Sequence, residues 1–246
     1  MTRMFTNLLV LALVVLAVPA LADGTYQTLP FAQDWSNIGM ITVDDSWTGV
    51  PGILGYRGDN ITSAVGVDPQ TLLAIDAGLV LDINANKTDP LAFFSGGATE
   101  FELTDPVVAL AGSGTADAPY LQLHLNTTGL ITIVVSYDLL DLELGADNAI
   151  QQVALHYRTS TANAWTNVPA AYVADASDGP ALLKTTPVSV TLPVDTENAA
   201  TLELRIMTTN ALGNDEWIGI DNITVTGTQP VANEDASWGQ IKTLFR

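Results

Sequence analysis

The acidic side chains of one short segment are the first candidates for chemistry. The segment Glu100-Phe101-Glu102-Leu103-Thr104-Asp105 alternates acidic and apolar residues over its first four positions, as a half-buried strand does. A retaining glycoside hydrolase needs two carboxylates about 5 Å apart, one as acid/base and one as nucleophile. Strand alternation puts Glu100 and Glu102 on one face and Asp105 on the other unless a bulge intervenes. A hydrolase that uses Glu100 and Glu102 is one hypothesis, and a solvated strand edge is the commoner role of such acids.

A second kind of acid lies inside an apolar strand near the end of the sequence, in Trp217-Ile218-Gly219-Ile220-Asp221-Asn222-Ile223-Thr224-Val225. A carboxylate in that setting must accept backbone hydrogen bonds or hold a cation. Carboxylate oxygens are ligands that calcium prefers, and Asp34 is the candidate for a second ligand. We therefore predict a metal site at Asp221 and Asp34, with a carboxylate that only caps a turn as the alternative.

The loop over residues 138–148 also concentrates acids, at Asp138, Asp141, Glu143 and Asp147. Closely spaced oxygen ligands suit a hard cation, but the spacing does not match the glycine-centred calcium loop. The pattern favours a solvated turn.

Aromatic residues offer a different chemistry, because the face of an aromatic ring provides apolar area and a quadrupole to the C–H groups of a sugar. Trp47 and Tyr56 flank a Gly/Pro-rich segment, Trp165 lies in a later turn, and Trp217 begins the last strand. These four residues are the predicted ligand-binding platforms. Packing at the end of the core is the alternative, and for Trp47 and Tyr56 it is favoured because large aromatic residues usually pack.

Several functional classes are excluded by composition. The chain has no cysteine, so thiol chemistry and cysteine-ligated metals are absent. The two histidines, His124 and His156, have no spacing that indicates a Ser-His-Asp arrangement. The glycine-rich loop 112–117 lacks the lysine and the strand-to-helix setting of a phosphate-binding loop. With 8 Lys+Arg against 27 Asp+Glu, the net charge of -19 disfavours binding to a nucleic acid.

The elements that would position these residues are strands. The segment Tyr120 to Leu139 contains the longest alternation of apolar and polar residues, interrupted by a turn that closes at Gly129. We predict a hairpin whose apolar face a second sheet must cover, since an isolated hairpin is marginally stable. The expected fold is all-β, an antiparallel two-sheet β-sandwich, with Leu123, Leu125, Ile133 and Val135 in its interior.

The ends of the sequence predict export. Arg3, an apolar run from Leu8 to Val18 and the triplet Ala20-Leu21-Ala22 form a signal peptide over 1–22. The run is shorter than a membrane span, and no later segment is long and apolar enough, so we expect a mature chain without a span. The sandwich is expected over 23–227, and 228–246 reads as a linker and a short C-terminal tail.

The last strand, with its WIGIDNITV sequence, resembles the closing strand of jelly-roll modules of the carbohydrate-binding and galactose-binding-like kind. That resemblance implies a structural calcium ion near Asp221. The wider sequence, from PFAQDW and DDSWTGVPGILGYRGD through GSGTADAPYLQLHLNTTG to NDEWIGIDNITVTG, is similar to a β-sandwich domain of secreted bacterial proteins, sometimes found beside an extracellular endonuclease/exonuclease/phosphatase module. The sandwich accounts for nearly the whole mature chain, so nuclease activity is not carried over.

These observations lead to one functional expectation and two alternatives. We expect a secreted or cell-surface, non-catalytic binding or adhesion module for glycans or other cell-surface components, with a structural calcium. A structural cell-envelope protein docked by its C-terminal tail is one alternative. The glycoside hydrolase described above is the other.

Overall fold

The computed structural model describes residues 23–75, 79–143, 149–177 and 184–230. Its strands form two sheets, so the predicted β-sandwich is confirmed. The predicted signal peptide and most of the predicted tail lie outside the described residues. The described residues contain thirteen strands: β1 Gln27–Thr28, β2 Phe31–Gln33, β3 Ile53–Tyr56, β4 Asn84–Lys87, β5 Gly97–Phe101, β6 Val107–Ala111, β7 Tyr120–Asn126, β8 Ile131–Asp141, β9 Val153–Arg158, β10 Thr166–Asn167, β11 Thr185–Thr191, β12 Leu202–Thr208 and β13 Ile218–Thr228.

The helical content of the described residues is limited to five single-turn 3-10 helices in the connections. They span Ile38–Met40, Pro69–Thr71, Pro90–Ala92, Pro169–Ala171 and Val194–Thr196. Three of the five have proline near the first helical position, where a missing N–H costs nothing. Among the described residues no helix is long and apolar enough to cross a membrane.

The strand order is that of a jelly roll. The last eight strands behave as one long antiparallel hairpin that has been rolled up: β6 pairs with β13, β7 with β12, β8 with β11 and β9 with β10. The first sheet contains β7, β9, β10 and β12, and the second contains β6, β8, β11 and β13. This nested pairing gives the two-sheet, Greek-key arrangement of jelly rolls.

The sheets are mixed, which differs from the purely antiparallel sandwich predicted from the sequence. The short strand β1 lies parallel to β7, and β4 lies parallel to β5. Both short strands precede residue 90, in a part of the sequence that gave no indication of strand direction. The antiparallel pairs remain the majority.

The predicted pairing of the two arms of the central hairpin is wrong, although both arms are strands. β7 pairs with β1, β3 and β12 in the first sheet, whereas β8 pairs with β11 and β13 in the second. The turn between them crosses from one sheet to the other. Each arm has one apolar face, and the opposite sheet can cover that face whichever strand is the hydrogen-bonded neighbour of the arm. Alternation therefore predicted the strands but not their partners.

One interior lies between the sheets. The four residues predicted for it, Leu123, Leu125, Ile133 and Val135, are all completely buried. They belong to one cluster of apolar side chains drawn from both sheets, which includes Leu204 and Ile206 of β12 and Ile220, Ile223 and Val225 of β13. This confirms the burial on which the predicted sandwich depended.

Replacing Leu123 by alanine removes apolar volume from this shared interior. We expect Leu123→Ala to lower the free energy of unfolding by about 2–5 kcal/mol, as measured by chemical denaturation. The control is Val194→Ala, because the Val194 side chain is 75% exposed. Equal stability of the two variants would contradict the assigned core.

Candidate functional site

The first predicted platform, Trp47, lies inside the core. Its side chain is 0% exposed, and its indole Nε1 donates a hydrogen bond to the backbone carbonyl of Asp82 at 3.0 Å. A Cβ at Gly55 would lie 2.2 Å from the indole Cζ2, so glycine is required for the ring to pack there. Trp47 therefore has no face free for a ligand, and the structure supports the packing alternative for this residue.

The second platform, Trp165, is also covered. The guanidinium carbons of Arg158 and Arg205 lie 4.3 and 4.4 Å from its ring centroid, and the indole is buried. These are cation–π distances. The ring therefore packs against two cationic side chains on the outer face of the first sheet. Tyr56 is partly buried and stacks on Tyr120 with ring centroids 4.9 Å apart.

The outer face of the first sheet carries buried charged and polar groups that hydrogen-bond to one another. Glu203 accepts hydrogen bonds from Arg158 Nε at 2.5 Å and from the Tyr26 hydroxyl at 2.7 Å. Arg205 Nε donates to Nδ1 of His156 at 3.1 Å. Burial and the cationic Arg205 lower the pKa of His156 to about 3, so this imidazole stays neutral. Buried charges need such partners, and this face is therefore filled by the chain itself.

The acids proposed for hydrolysis do not form a free pair on one strand. Glu100 is buried in β5, and its Oε2 accepts a hydrogen bond from the backbone N–H of Asn86 at 2.8 Å. Burial raises the pKa of Glu100, and the nearby Glu102 raises it further. Glu102 lies one residue beyond the end of β5. Neither residue lines the two clefts described below, so the hydrolase hypothesis gains no support and stays a prediction.

Asp221 lies at a bulge where β13 pairs with β8. The register shifts between Asp221 and Thr224, and Asn222 there adopts a positive φ of 50°. Asp221 is 2% exposed, and its Oδ1 accepts a hydrogen bond from the N–H of Asn222 at 2.7 Å. Burial raises its pKa to about 6, and the negative charges of Asp105, Asp34 and Asp138 add to the shift.

The negative charge of Asp34 raises the pKa of Asp221, but the Asp34 side chain is exposed and hydrogen-bonded to a neighbouring residue. Its Oδ1 accepts hydrogen bonds from the hydroxyl and the N–H of Ser36, and these lower its pKa. Asp34 and Asn222 both line a small cleft of about 280 Å³ beside β2 and β13.

The donor set around Asp221 does not by itself fit a calcium ion. Calcium takes six to eight oxygen ligands. Within the described residues no three His, Asp or Glu side chains converge as a metal-binding group. The calcium site at Asp221 and Asp34 therefore stays a prediction.

A larger cleft of about 400 Å³ opens at one end of the second sheet, and we call it the end cleft. Four strand ends meet there, because β5 and β13 begin where β6 and β8 end. The end cleft is lined by Phe94, Gly96, Ala111, Gly112, Ser113, Glu143, Gly213, Asn214, Asp215 and Trp217.

Two aromatic residues have different roles in the end cleft. Trp217 is buried, stacks on Phe93 with ring centroids 6.0 Å apart, and donates from Nε1 to the Phe93 carbonyl at 2.8 Å. The neighbouring Phe94 points the other way and is 81% exposed. Of the four predicted platforms only Trp217 lines this cleft, and Phe94 provides the accessible ring. The sequence feature that could have indicated an exposed ring is the adjacent pair Phe93-Phe94 ahead of Gly96-Gly97. Side chains of consecutive extended residues point to opposite sides, so one ring of such a pair can be buried while the other is exposed.

The polar groups of the end cleft are acidic or neutral. Asp215 Oδ1 accepts a hydrogen bond from the N–H of Ala211 at 2.7 Å, and burial raises the pKa of Asp215 to about 6. The next residue along the chain, Glu216, is buried, and its Oε1 accepts a hydrogen bond from the N–H of Ala149 at 2.8 Å. Burial raises the pKa of Glu216 to about 7. Glu143 completes the acidic lining.

Glycine permits the close contacts that form the cleft wall. A Cβ on Gly112 would lie 2.4 Å from the Cα of Asn210 and 2.4 Å from Oδ1 of Asp215. Any side chain at Gly112 would therefore displace both the backbone of Asn210 and the carboxylate of Asp215.

Comparison with known proteins gives only structural likenesses. No family model matches the sequence, and no curated protein matches it. A carbohydrate-binding module of the CBM28 type, specific for non-crystalline cellulose, is similar over 55% of this chain and 83% of the module, at 14% identity and a TM-score of 0.41. The K2 cleaved adhesin domain of Lys-gingipain is similar over 80% of this chain and 98% of the domain, at 13% identity and a TM-score of 0.42.

The K3 cleaved adhesin domain of Lys-gingipain from Porphyromonas gingivalis w83 is also similar, at 17% identity and a TM-score of 0.33. The similarity covers 50% of this chain and 74% of that domain. Carbohydrate-binding modules and adhesin domains are thus among the solved structures that this chain resembles.

Gly112→Ala should disturb the end cleft, because the added methyl group overlaps backbone and carboxylate atoms. We expect a loss of about 1–3 kcal/mol in unfolding free energy, measured by denaturant titration. Gly114→Ala in the same loop is the matched control, since a Cβ there would meet nothing within 4 Å. A Gly112→Ala variant as stable as the control would disprove the tight packing of the wall.

Asp221 gives a pH-dependent prediction. Because its pKa rises from 3.8 to about 6 on folding, its contribution to stability is greatest below the lower value and declines as pH rises through the interval. Asp221→Asn mimics the protonated side chain, so in the presence of a chelator it should raise stability above pH 6 by on the order of 1–3 kcal/mol.

Below pH 3.8 the same variant should be neutral. Thermal unfolding followed by circular dichroism at the two pH values, with and without added calcium, is the measurement. Stabilisation of the wild type by calcium that disappears in Asp221→Asn would instead support the predicted calcium site.

Proposed function

We propose that this protein is a non-catalytic glycan-binding module and that the end cleft is its binding site. The observation that carries the proposal is the exposed ring of Phe94, which lines a cleft together with carboxylate, amide and hydroxyl side chains. This combination suits a sugar, which presents apolar C–H faces and hydroxyl groups at its edges.

The chemistry of each lining group supports this choice. The Phe94 ring supplies apolar area and a quadrupole for stacking on a pyranose face. Asp215, Asn214 and Ser113 supply the small number of polar groups that fix orientation in a ligand pocket. A volume of about 400 Å³ is within the usual range for small-molecule sites, so a short oligosaccharide segment fits better than a long polymer tract.

The scaffold around the ring is rigid, and this favours binding by a preformed surface. Phe93, next to Phe94, is stacked on Trp217, and Trp217 is packed edge-on against Phe101 at 5.3 Å. The Phe94 backbone is therefore anchored by a buried aromatic cluster. A preorganised site loses less entropy on binding.

Secretion and a surface location belong to the same proposal. A glycan-binding module meets its polymer outside the cell, which agrees with the predicted signal peptide over 1–22. The tail over 228–246, which would dock a structural envelope protein, lies almost entirely outside the described residues, so that alternative stays a prediction.

The test is retention on a panel of insoluble polysaccharides and binding of soluble oligosaccharides by calorimetry. Phe94→Ala should weaken binding by at least about tenfold, equivalent to about 1.4 kcal/mol, while leaving the melting temperature unchanged because the ring is exposed. Val194→Ala removes another exposed apolar side chain from a connection between strands and should bind as the wild type does. Undiminished binding by Phe94→Ala, or no retention on any glycan, would refute the proposal.

A further inference from the structure

The charged residues that line the end cleft are all acidic. Glu143 and Asp215 line it, and the lining includes no lysine or arginine. The whole chain carries a net charge of -19, so the long-range field has the same sign as the local one. A polyanionic glycan, such as a uronate polymer, would be repelled from this site.

Asp215 is placed to act on a bound sugar. It is one of the ten lining residues, and the N–H of Ala211 fixes its Oδ1 at 2.7 Å. The same burial that raises its pKa to about 6 leaves its charge poorly solvated. A partly desolvated carboxylate gains most from a cation held at hydrogen-bond distance.

We propose that the end cleft selects glycans that carry free amino groups, with the sugar ammonium paired to Asp215 while the sugar ring stacks on Phe94. This inference rests on the proposed function and specifies its substrate class. Neutral sugars can use the ring but supply no cation, and N-acetylated sugars lose the charge. An amino sugar uses both features, the exposed ring and the acidic lining.

The chemistry predicts how binding responds to conditions. The pair forms only when the ammonium is protonated and the carboxylate is ionised, so affinity should pass through a maximum as pH rises from below the pKa of Asp215 to above that of the amine. Added salt should weaken the preference for the amino sugar, because an accessible ion pair is screened. Binding of the acetylated sugar should show neither dependence.

The experiment compares glucosamine oligomers with N-acetylglucosamine and galacturonate oligomers of the same length. Affinities are measured by calorimetry at a pH just above the pKa of Asp215, about 6. We expect the free-amine oligomer to bind about tenfold more tightly than the acetylated one, and the uronate to bind least. Asp215→Asn should abolish the difference between the amine and acetylated oligomers while keeping the acceptor for Ala211. Asp105→Asn, which changes an exposed acid in the connection between β5 and β6, should preserve the difference.

The possible outcomes distinguish a failure of this inference from a failure of the proposed glycan-binding function. Equal binding of the amine and acetylated oligomers, lost in Phe94→Ala, would overturn the charge selection and leave glycan binding in place. A preference that survives in a folded Asp215→Asn variant would overturn the role of Asp215. Failure of every oligomer and polysaccharide to bind would remove the proposed function itself.

Discussion

The shared apolar interior is the constraint on which the rest of this structure depends. Both sheets have one face that is almost entirely aliphatic, and each can be removed from water only by the other. The long strands β7 and β8 are separated by four residues, yet they lie in opposite sheets, and both contribute side chains to the same core. The jelly-roll order agrees with this, since the nested antiparallel pairs, centred on β9 and β10, place the apolar face of each sheet against that of the other.

The outer face of the first sheet shows how a second layer can be filled without creating a binding site. Arg158 and Arg205 pack against Trp165, and Glu203 accepts hydrogen bonds from Arg158 and Tyr26. Each of these groups would be costly to bury alone, and each is satisfied by another part of the chain. The Trp165 ring on this face is buried by packing, whereas the exposed Phe94 ring lies at the end of the second sheet.

The end cleft arises from the meeting of strand termini that are distant in sequence. Phe94 precedes β5, Gly112 follows β6, Glu143 follows β8, and Asp215 precedes β13. Glycine at position 112 lets the backbone of Asn210 approach closely enough for the Asp215 carboxylate to reach the wall. The acidic character of the site is a local consequence of this convergence, and the acidic composition of the chain reinforces it.

Local patterns in the sequence determined the all-β class, the burial of Leu123 and Val135, and the presence of strands such as β9, because side-chain alternation is a property of single strands. Tertiary structure decided which strands pair, since alternation shows which face of a strand is buried but not which strand lies beside it. It also decided which aromatic rings remain exposed. Trp47 and Phe94 are both aromatic residues next to turns, but only the surrounding packing determines that the first is enclosed and the second faces solvent.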